Sequence, residues 1–269
     1  KGYFGLLNSL HEPLTTRSVS GKLQLGGTFL QSARCREMYQ PEGQLQAVEN
    51  LRRLGIEGLV VIGGDGSHRG AMAIHEQGIP VVAIPASIDT YIPFPDMSLG
   101  VDPALNNIIR AVDCLKDTAS SHDRTFVVET MGRNCGYLAL MSALATGADW
   151  VLIPESPPDV DDWQKVMADR LRAGRAAGRR DSIVILAEGA HDREGNYIGS
   201  SDVQKTLEEQ LGEEVRVTVL GHVQRGGRPS AFDRTLGTLM GYEAVQTILS
   251  TKPDDEPVVI GIKNNRMTR

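Results

Sequence analysis

Short apolar runs rich in valine and isoleucine alternate along the chain with longer amphipathic stretches. An apolar run of this length between turn residues is typical of a strand that is buried on both faces. The predicted strands lie at 58–64, 80–85, 124–130, 149–154, 182–189, 215–222 and 257–262. The predicted helices lie at 44–55, 67–78, 103–117, 134–147, 161–174, 202–212 and 233–249. This alternation predicts parallel sheets flanked by helices in an α/β fold.

The turns after these strands carry the most unusual residues of the chain. In α/β folds, ligands bind at the carboxyl ends of parallel strands, so we expect the functional residues to lie in these turns. The turns are GGDGS (63–67), PASIDTY (85–91), MGRNCG (131–136), EGAHDREG (188–195) and HVQRGGRPSAFDR (222–234).

Composition narrows the class of protein. Of 269 residues, 41% are hydrophobic and 23% charged, which suffices for a buried core and excludes wholesale disorder. A net charge of −6 argues against general binding to nucleic acid or anionic membranes. Cys35, Cys114 and Cys135 are too scattered for a disulfide framework or a zinc site and fit a reducing compartment. No apolar run approaches the roughly 20 residues of a membrane span, and no signal peptide is visible, so we expect a soluble cytoplasmic protein.

The GGDGS turn is a candidate phosphate site. Glycines let the backbone approach a ligand closely, and the free N–H groups at a helix start favour an anion. Asp65 can hold a Mg²⁺ ion that bridges phosphate oxygens. The turn matches neither the Walker A spacing nor the dinucleotide fingerprint. The alternative is an ordinary strand-to-helix turn with a capping side chain.

The SIDTY turn supplies a candidate proton acceptor. Asp89 follows a strand and has the Ser87 hydroxyl beside it, as expected of a base in phosphoryl transfer. An aspartate that only bonds its own turn is the alternative.

Single arginines beside glycine turns are candidate phosphate clamps, because a guanidinium matches phosphate oxygens. Surface ion pairs are the alternative for each of them. Glu188 is either an acceptor for sugar hydroxyls or a member of an ion pair. Arg133 and Arg225 lie beside glycine in the stretches MGR and QRGG. Arg124 and Arg234 also lie near predicted loops, and the four together favour a phosphate pocket.

The remaining candidates are weaker. The histidines show no metal-ligand spacing, and Cys135 is interpreted as a packing residue. The basic run 172–180 either offsets a helix dipole or forms an anionic effector site.

Together these motifs resemble the ATP-dependent 6-phosphofructokinase family. They occur in that family's order and spacing and span nearly the whole chain. The matching stretches are GGTFLQSAR (26–34), VIGGDGS (61–67), SIDTYI (87–92), SSHDRTFVVETMGRNCGYLAL (120–140), AEGA (187–190) and LGHVQRGGRPSAFDR (220–234).

The resemblance implies two similar lobes, each with a mainly parallel sheet flanked by helices, with the active site between them. Residues 1–101 and 232–265 would form the nucleotide-binding lobe, and residues 102–231 the sugar-phosphate-binding lobe. By this resemblance, we expect this sequence to lack the family's N-terminal strand and Gly-rich nucleotide loop.

The implied reaction is phosphoryl transfer from MgATP to the 1-hydroxyl of fructose 6-phosphate in glycolysis. Asp89 resembles the catalytic base, with Ser87 and Arg133 as its catalytic neighbours. The positions that match the nucleotide site are Arg34, Gly64, Asp65, Gly66, Ser67 and Gly70, with Asp65 also associated with Mg²⁺. The positions that match the sugar-phosphate site are Ser87, Asp89, Arg124, Met131, Gly132, Arg133, Glu188, Arg225 and Arg234.

In the family, two of these arginines serve a neighbouring subunit. Arg124 and Arg225 match arginines that reach the sugar phosphate across a subunit boundary. The resemblance therefore implies an allosteric homotetramer with shared active sites.

Two alternatives stay open. Pyrophosphate-using relatives carry Asp at the place of Gly66 and Lys at the place of Ala86, so this sequence favours ATP. A catalytically weakened regulatory or sugar-phosphate-binding homologue is the other alternative, because Tyr91 replaces the family's second Asp. Phe94 and Pro95 stand where the family has Gly and Thr.

Overall fold

A computed structural model describes residues 1–89 and 96–269, so Tyr91, Phe94 and Pro95 lie outside the described residues. The α/β class is confirmed: two compact units each hold a parallel sheet with helices packed on it. The first unit comprises residues 1–87, 96–100 and 227–269, and the second comprises residues 88–89 and 101–226. The bounds of these units differ from those of the predicted lobes at residues 88–89, 101 and 227–231. Residues 227–231 lead directly into a helix that packs on the first unit's sheet. The assignment of one lobe to the nucleotide and the other to the sugar phosphate stays a prediction.

The secondary structure follows the predicted alternation of strands and helices. The helices are α1 (Gly2–Leu7), α2 (Thr16–Val19), α3 (Pro41–Arg53), α4 (Asp65–His75), α5 (Val101–His122), α6 (Tyr137–Thr146), α7 (Trp163–Ala176), α8 (Ser200–Leu211) and α9 (Ala231–Ser250). The strands are β1 (Leu59–Gly63), β2 (Val81–Pro85), β3 (Thr125–Thr130), β4 (Trp150–Leu152), β5 (Ser182–Ala187), β6 (Val215–Val219), β7 (Val258–Val259), β8 (Gly261–Lys263) and β9 (Arg266–Thr268). Short 3₁₀ turns lie at Glu37–Tyr39 and Gly221–Arg225.

The first unit is built on a three-stranded parallel sheet with the order β1-β2-β7. Every residue of β2 is buried, which explains why its sequence is apolar without alternation. Leu236 and Met240 of α9 pack with Val82 and Ile84 of β2 in one core cluster. Helices α3 and α4 form a second cluster with β1.

The apolar run predicted as one strand at 257–262 is divided in the structure. Its first part, β7, pairs with β2, whereas β8 turns away and pairs antiparallel with β9. The turn between β8 and β9 is Asn264–Asn265, and both residues have positive φ, at 50° and 58°. Asparagine tolerates this backbone conformation, and such a two-residue turn joins antiparallel strands.

The second unit is built on a four-stranded parallel sheet with the order β4-β5-β3-β6. The central strands β3 and β5 pair along their whole length, from Thr125 with Ser182 to Thr130 with Ala187. Strand β6 pairs with β3 on its other side. Because these strands are parallel and in register, the turns that follow β3, β5 and β6 meet at one edge of the sheet.

No helix in residues 1–89 and 96–269 is long and apolar enough to cross a membrane. All three cysteines carry free thiols.

Candidate functional site

The turn after β3 has an unusual backbone conformation that is stabilised by hydrogen bonds to a neighbouring side chain. Gly132 has φ 148°, and Arg133 has φ 52°, in the left-handed region that a side chain such as arginine rarely adopts. A Cβ on Gly132 would collide with the carbonyl oxygen of Cys135, so glycine is required there. The side chain of Glu188 holds the turn, since its Oε1 accepts hydrogen bonds from Gly132 N (3.1 Å) and Arg133 N (2.5 Å). Strained backbone of this kind is typical of binding and catalytic turns.

Asp89 lies against this turn and between two arginines. Its Oδ2 is 3.2 Å from Arg133 Nε, and its Oδ1 is 3.9 Å from Arg225 Nη2. The Asp89 side chain is only 13% exposed, whereas those of Arg133 and Arg225 are 73% and 48% exposed. The carboxylate is therefore held in place while both guanidinium groups keep contact with solvent. Arg133, Glu188 and Arg225 come from the turns after β3, β5 and β6, as the parallel register requires.

Two residues that the sequence analysis did not single out join these turns. Gln224 Oε1 accepts a hydrogen bond from Met131 N (2.8 Å). Asn107 Nδ2 donates to the backbone oxygens of Gln224 (3.2 Å) and Gly226 (2.8 Å). Gln224 stands beside Arg225 in the QRGG motif, of which only the arginine was predicted to contact a ligand. Asn107 lies inside a helix and carries no sequence signal.

Arg124 lies at the opposite end of β3 from Arg133. Its Nη2 is 3.1 Å from Glu214 Oε2, and Arg216 Nη2 is 2.5 Å from Glu214 Oε1. Strand β3 has six residues, which span about 20 Å in an extended conformation. Arg124 and Arg133 of one chain therefore cannot grip the same phosphate group. Arg216, paired through the same glutamate, is a neighbour that the sequence analysis missed.

The GGDGS turn opens helix α4 in the first unit. Gly64 is the N-cap residue, and no side chain caps the helix. Asp65 lies in the first helical turn, and both of its carboxylate oxygens accept from Arg69 Nε, at 3.2 and 3.0 Å. This pair is open to solvent, with Asp65 60% and Arg69 78% exposed. The helix start thus presents backbone N–H groups and one exposed carboxylate.

The glycines of this turn have different reasons to be glycine. A Cβ on Gly70 would lie 2.6 Å from the ring of Tyr3, and a Cβ on Gly63 would collide with the Ser67 side chain. A Cβ on Gly66, in contrast, would meet nothing within 4 Å. Packing therefore explains the glycines at Gly63 and Gly70 but not the one at Gly66. Gly66 leaves open space at the helix start, which is what a bound phosphate needs.

Tyr3 supports this turn from the amino-terminal helix. Its hydroxyl donates to the backbone oxygen of Ser67 (2.5 Å), and burial raises the pKa of the Tyr3 phenol well above its ordinary value. Its neutral form is therefore retained at any physiological pH. Tyr3 is a further contact that the sequence analysis missed.

Ser87 lies beside the GGDGS turn rather than deep in the sheet. A Cβ on Gly64 would be 3.3 Å from Ser87 Cβ, and Ala86 N donates to Gly63 O (2.8 Å). Ser98 Oγ accepts from Ser87 N (2.9 Å). Within the first unit, Ala86 and Ser87 therefore lie directly beside the GGDGS turn.

Two predicted arginines lie in the first unit. Arg34 is exposed in the irregular segment 31–35. Arg234 lies in the first turn of α9, where its Nε donates to the backbone oxygen of Pro229 (3.0 Å). Both stay candidates for ligand contacts.

The basic run 172–180 is engaged in ion pairs. Its four arginines each lie within reach of a carboxylate, which favours the structural interpretation over an effector site. The pairs are Arg172 with Asp169, Arg175 with Glu213, Arg179 with Asp149 and Arg180 with Asp123.

The residues of the GGDGS turn fit a Mg²⁺ ion that arrives with a phosphate ligand. Within the described part of the chain, no group of three or more His, Cys, Asp or Glu side chains could hold a metal by itself. Mg²⁺ is commonly bound by one or two carboxylates together with phosphate oxygens and water. The exposed carboxylate of Asp65 beside an uncapped helix start matches that donor set.

The fold and these turns place the chain among α/β proteins with ligand-binding turns at the carboxyl edge of parallel sheets. A family model described as Phosphofructokinase matches residues 1–248. The chain belongs to the phosphofructokinase family. It is 46% identical over its full length to an ATP-dependent 6-phosphofructokinase of Macrococcus caseolyticus, of which it covers 80%.

Longer relatives match as well. The chain is 45% identical to the muscle-type ATP-dependent 6-phosphofructokinase of Macaca fascicularis, and all of the chain aligns with 38% of that protein. The structure of phosphofructokinase from Saccharomyces cerevisiae superposes with a TM-score of 0.96 at 39% identity, over 99% of this chain and 39% of the yeast chain. The chain thus spans little more than a third of the length of these two eukaryotic relatives.

Proposed function

We propose that the protein transfers the γ-phosphoryl group of MgATP to the 1-hydroxyl of fructose 6-phosphate, giving fructose 1,6-bisphosphate and ADP. Membership of the phosphofructokinase family and the names of its relatives support this reaction. The observation that carries it is Asp89, a nearly buried carboxylate held between two solvent-accessible arginines. This arrangement suits a base that must meet a phosphorylated substrate.

Asp89 takes the proton of the 1-hydroxyl as the sugar oxygen attacks the γ-phosphorus. A new P–O bond forms, and the bond between the γ-phosphorus and the β–γ bridging oxygen breaks, so that ADP leaves. Arg133 contacts Asp89 through Nε, and a guanidinium has further N–H donors that can bind phosphate oxygens. Positioning and charge neutralisation supply most of the catalysis in such transfers.

The nucleotide is assigned to the first lobe (1–101 and 232–265) and the sugar phosphate to the second (102–231). Gly66 at the uncapped start of α4 supports a phosphate position there. Bound Mg²⁺ would neutralise charge on the transferring phosphate, with Asp65 as its protein ligand. Arg34, Gly64, Ser67 and Gly70 complete the proposed nucleotide site, and Ser87, Met131, Gly132, Glu188 and Arg234 the proposed sugar-phosphate site.

The two arginines assigned by resemblance to a neighbouring subunit are separated here. Arg225 lies beside Asp89 of its own chain, so we assign it to that chain's site. Arg124 lies about 20 Å away along β3, so it can serve a sugar phosphate only in the site of another copy. A homo-oligomer, with the tetramer as the expected form, would supply that copy. Its free cysteines suit the reducing cytoplasm.

The test is product formation from fructose 6-phosphate with MgATP or pyrophosphate as the donor, followed by ³¹P NMR. We expect fructose 1,6-bisphosphate and ADP with MgATP, and at least tenfold slower formation with pyrophosphate. Faster turnover with pyrophosphate would reverse the donor assignment. Binding of fructose 6-phosphate without product from either donor would indicate a weakened homologue instead.

Arg124 is tested by mixing subunits. Arg124→Ala chains and Asp89→Asn chains should both be inactive alone, because each lacks one group of every site. Hybrid oligomers should regain activity, since some sites then combine an intact Asp89 with the intact Arg124 of a neighbour. Hybrids that form but stay inactive would contradict shared sites.

A further inference from the structure

Gln224 is a buried polar residue to which the proposed function gives no role. It is 1% exposed, and its Nε2 donor has no hydrogen-bond partner in the part of the chain that the structure describes. A buried amide donor without an acceptor destabilises a fold. Departures from local packing rules of this kind are expected at functional sites. Stability alone does not explain a glutamine at this position.

The other atoms of Gln224 connect two loops of the second unit. Its Oε1 accepts from Met131 N (2.8 Å), two residues before Arg133. Its backbone oxygen accepts from Asn107 Nδ2 (3.2 Å), one residue before Arg225. The same nitrogen also donates to Gly226 O (2.8 Å), so the backbone is fixed on both sides of Arg225.

We propose that Gln224 is a positioning residue that sets the separation between Arg133 and Arg225 and so keeps both on Asp89. The proposal deepens the proposed function and rests on it. Arg133 lies two residues after Met131, whose N–H the Gln224 side chain binds, and Arg225 directly follows Gln224. If this link is lost, the turn after β3 and the loop after β6 can move independently.

Such movement acts on catalysis more than on the fold. A misplacement of about 1 Å at a reacting group can lower a rate by about 10²-fold. Asp89 would keep its buried place but lose the fixed position of one guanidinium. Loss of the link should therefore lower kcat strongly while the uptake of MgATP stays unchanged.

The experiment compares Gln224→Met with Gln224→Glu in the full chain. Methionine keeps the length and removes the acceptor, whereas glutamate keeps an acceptor oxygen for Met131 N. We expect Gln224→Met to lower kcat by about 10- to 100-fold with an unchanged KM for MgATP. Gln224→Glu should retain about tenfold more activity than Gln224→Met. Urea unfolding is measured for both variants to show that they are folded. Gln224→Met removes the unpaired Nε2 donor but leaves Met131 N without its acceptor, so the two effects on stability partly offset each other.

Wild-type kcat in Gln224→Met, or equal kcat in both variants with intact folds, would overturn the proposal. If Gln224→Met does not fold, Asn107→Leu tests the same link from the other side. It should lower kcat in the same direction, and an unchanged kcat would overturn the proposal.

Failure of the proposed function is recognised separately. It would show as absence of product in the wild type, whatever the variants do. The positioning role is then read from calorimetric binding of fructose 6-phosphate, which Gln224→Met should weaken at least fivefold. Equal affinity for wild type and variant would overturn it.

Discussion

Asp89 and Asp65 each lie in a turn that follows a strand, but their surroundings differ in burial and in the origin of their partners. Asp89 is 13% exposed and lies between Arg133 and Arg225 from two separate loops. Asp65 is 60% exposed and pairs with Arg69, four residues along its own helix. A group that must stay at one position is held by contacts that are distant in sequence. The proposed role of Asp65 as a Mg²⁺ ligand requires it to exchange partners, and its partner in this structure is an exposed arginine on the same helix.

The surrounding backbone differs in the same sense. The turn beside Asp89 contains two residues with positive φ and is held by Glu188. The helix start beside Asp65 has no side-chain cap, and Gly66 there borders open space. We call the turn 131–133, which contacts Asp89, the constrained support, and the start of α4 (residues 64–68) the open cradle. Substitutions at four sites test this contrast.

The largest expected effect is at the constrained aspartate. Asp89→Asn keeps the size of the side chain and removes its ability to take a proton, which is worth roughly 10²–10⁴-fold in rate. We therefore expect kcat to fall by that factor while the Kd for fructose 6-phosphate changes by less than about fivefold, since the arginines remain. Steady-state kinetics and calorimetry measure the two quantities. A variant with wild-type kcat would remove Asp89 from the proposed mechanism.

The second effect is on the backbone of the support. Gly132→Ala places a Cβ against the Cys135 carbonyl at φ 148°, so we expect a loss of about 1–3 kcal/mol in the free energy of unfolding. Gly66→Ala is the matched control, because its Cβ meets nothing within 4 Å. It should leave stability unchanged or slightly higher and should raise the KM for MgATP. Similar stabilities for the two variants in urea unfolding would contradict the contrast.

Much of this fold could be predicted from the sequence because strands buried on both faces are apolar without interruption. The division of 257–262 into β7 and β8 could not, because it depends on the Asn264–Asn265 turn and on pairing with β9. The candidate site was predicted through residues in conspicuous motifs, such as Asp89 and Arg133. Asn107 could not be predicted, because its hydrogen-bond partners are the backbone oxygens of Gln224 and Gly226, which are distant in sequence and come close only in the folded protein.

A third and smaller effect depends on pH at the open cradle. Burial lowers the pKa of His68 below its ordinary value of 6.5, and its Nε2 lies 3.3 Å from Ile84 O. As pH falls below about 6.5, the unfolded chain takes up a proton that the folded chain resists. The contribution of His68 to the free energy of unfolding is therefore complete above that pH and is lost as the pH falls. Between pH 7.5 and 5.5, the free energy of unfolding measured in urea should fall less for His68→Asn than for wild type. An equal fall in both proteins would show that His68 does not cause the pH dependence.

The smallest expected effect is at the partner of Asp65. Arg69→Gln keeps the helix propensity and most of the side-chain length but removes one charge of an exposed i,i+4 pair. Such a pair contributes about 0.3–0.5 kcal/mol at low salt, and salt screens it. We expect a loss of that size in the free energy of unfolding, which disappears in 1 M NaCl. The KM for MgATP should stay the same or fall, because Asp65 then reaches Mg²⁺ without leaving a partner. A loss above about 1.5 kcal/mol that persists in high salt would show that Asp65 is held as firmly as Asp89, and the contrast between the two aspartates would not stand.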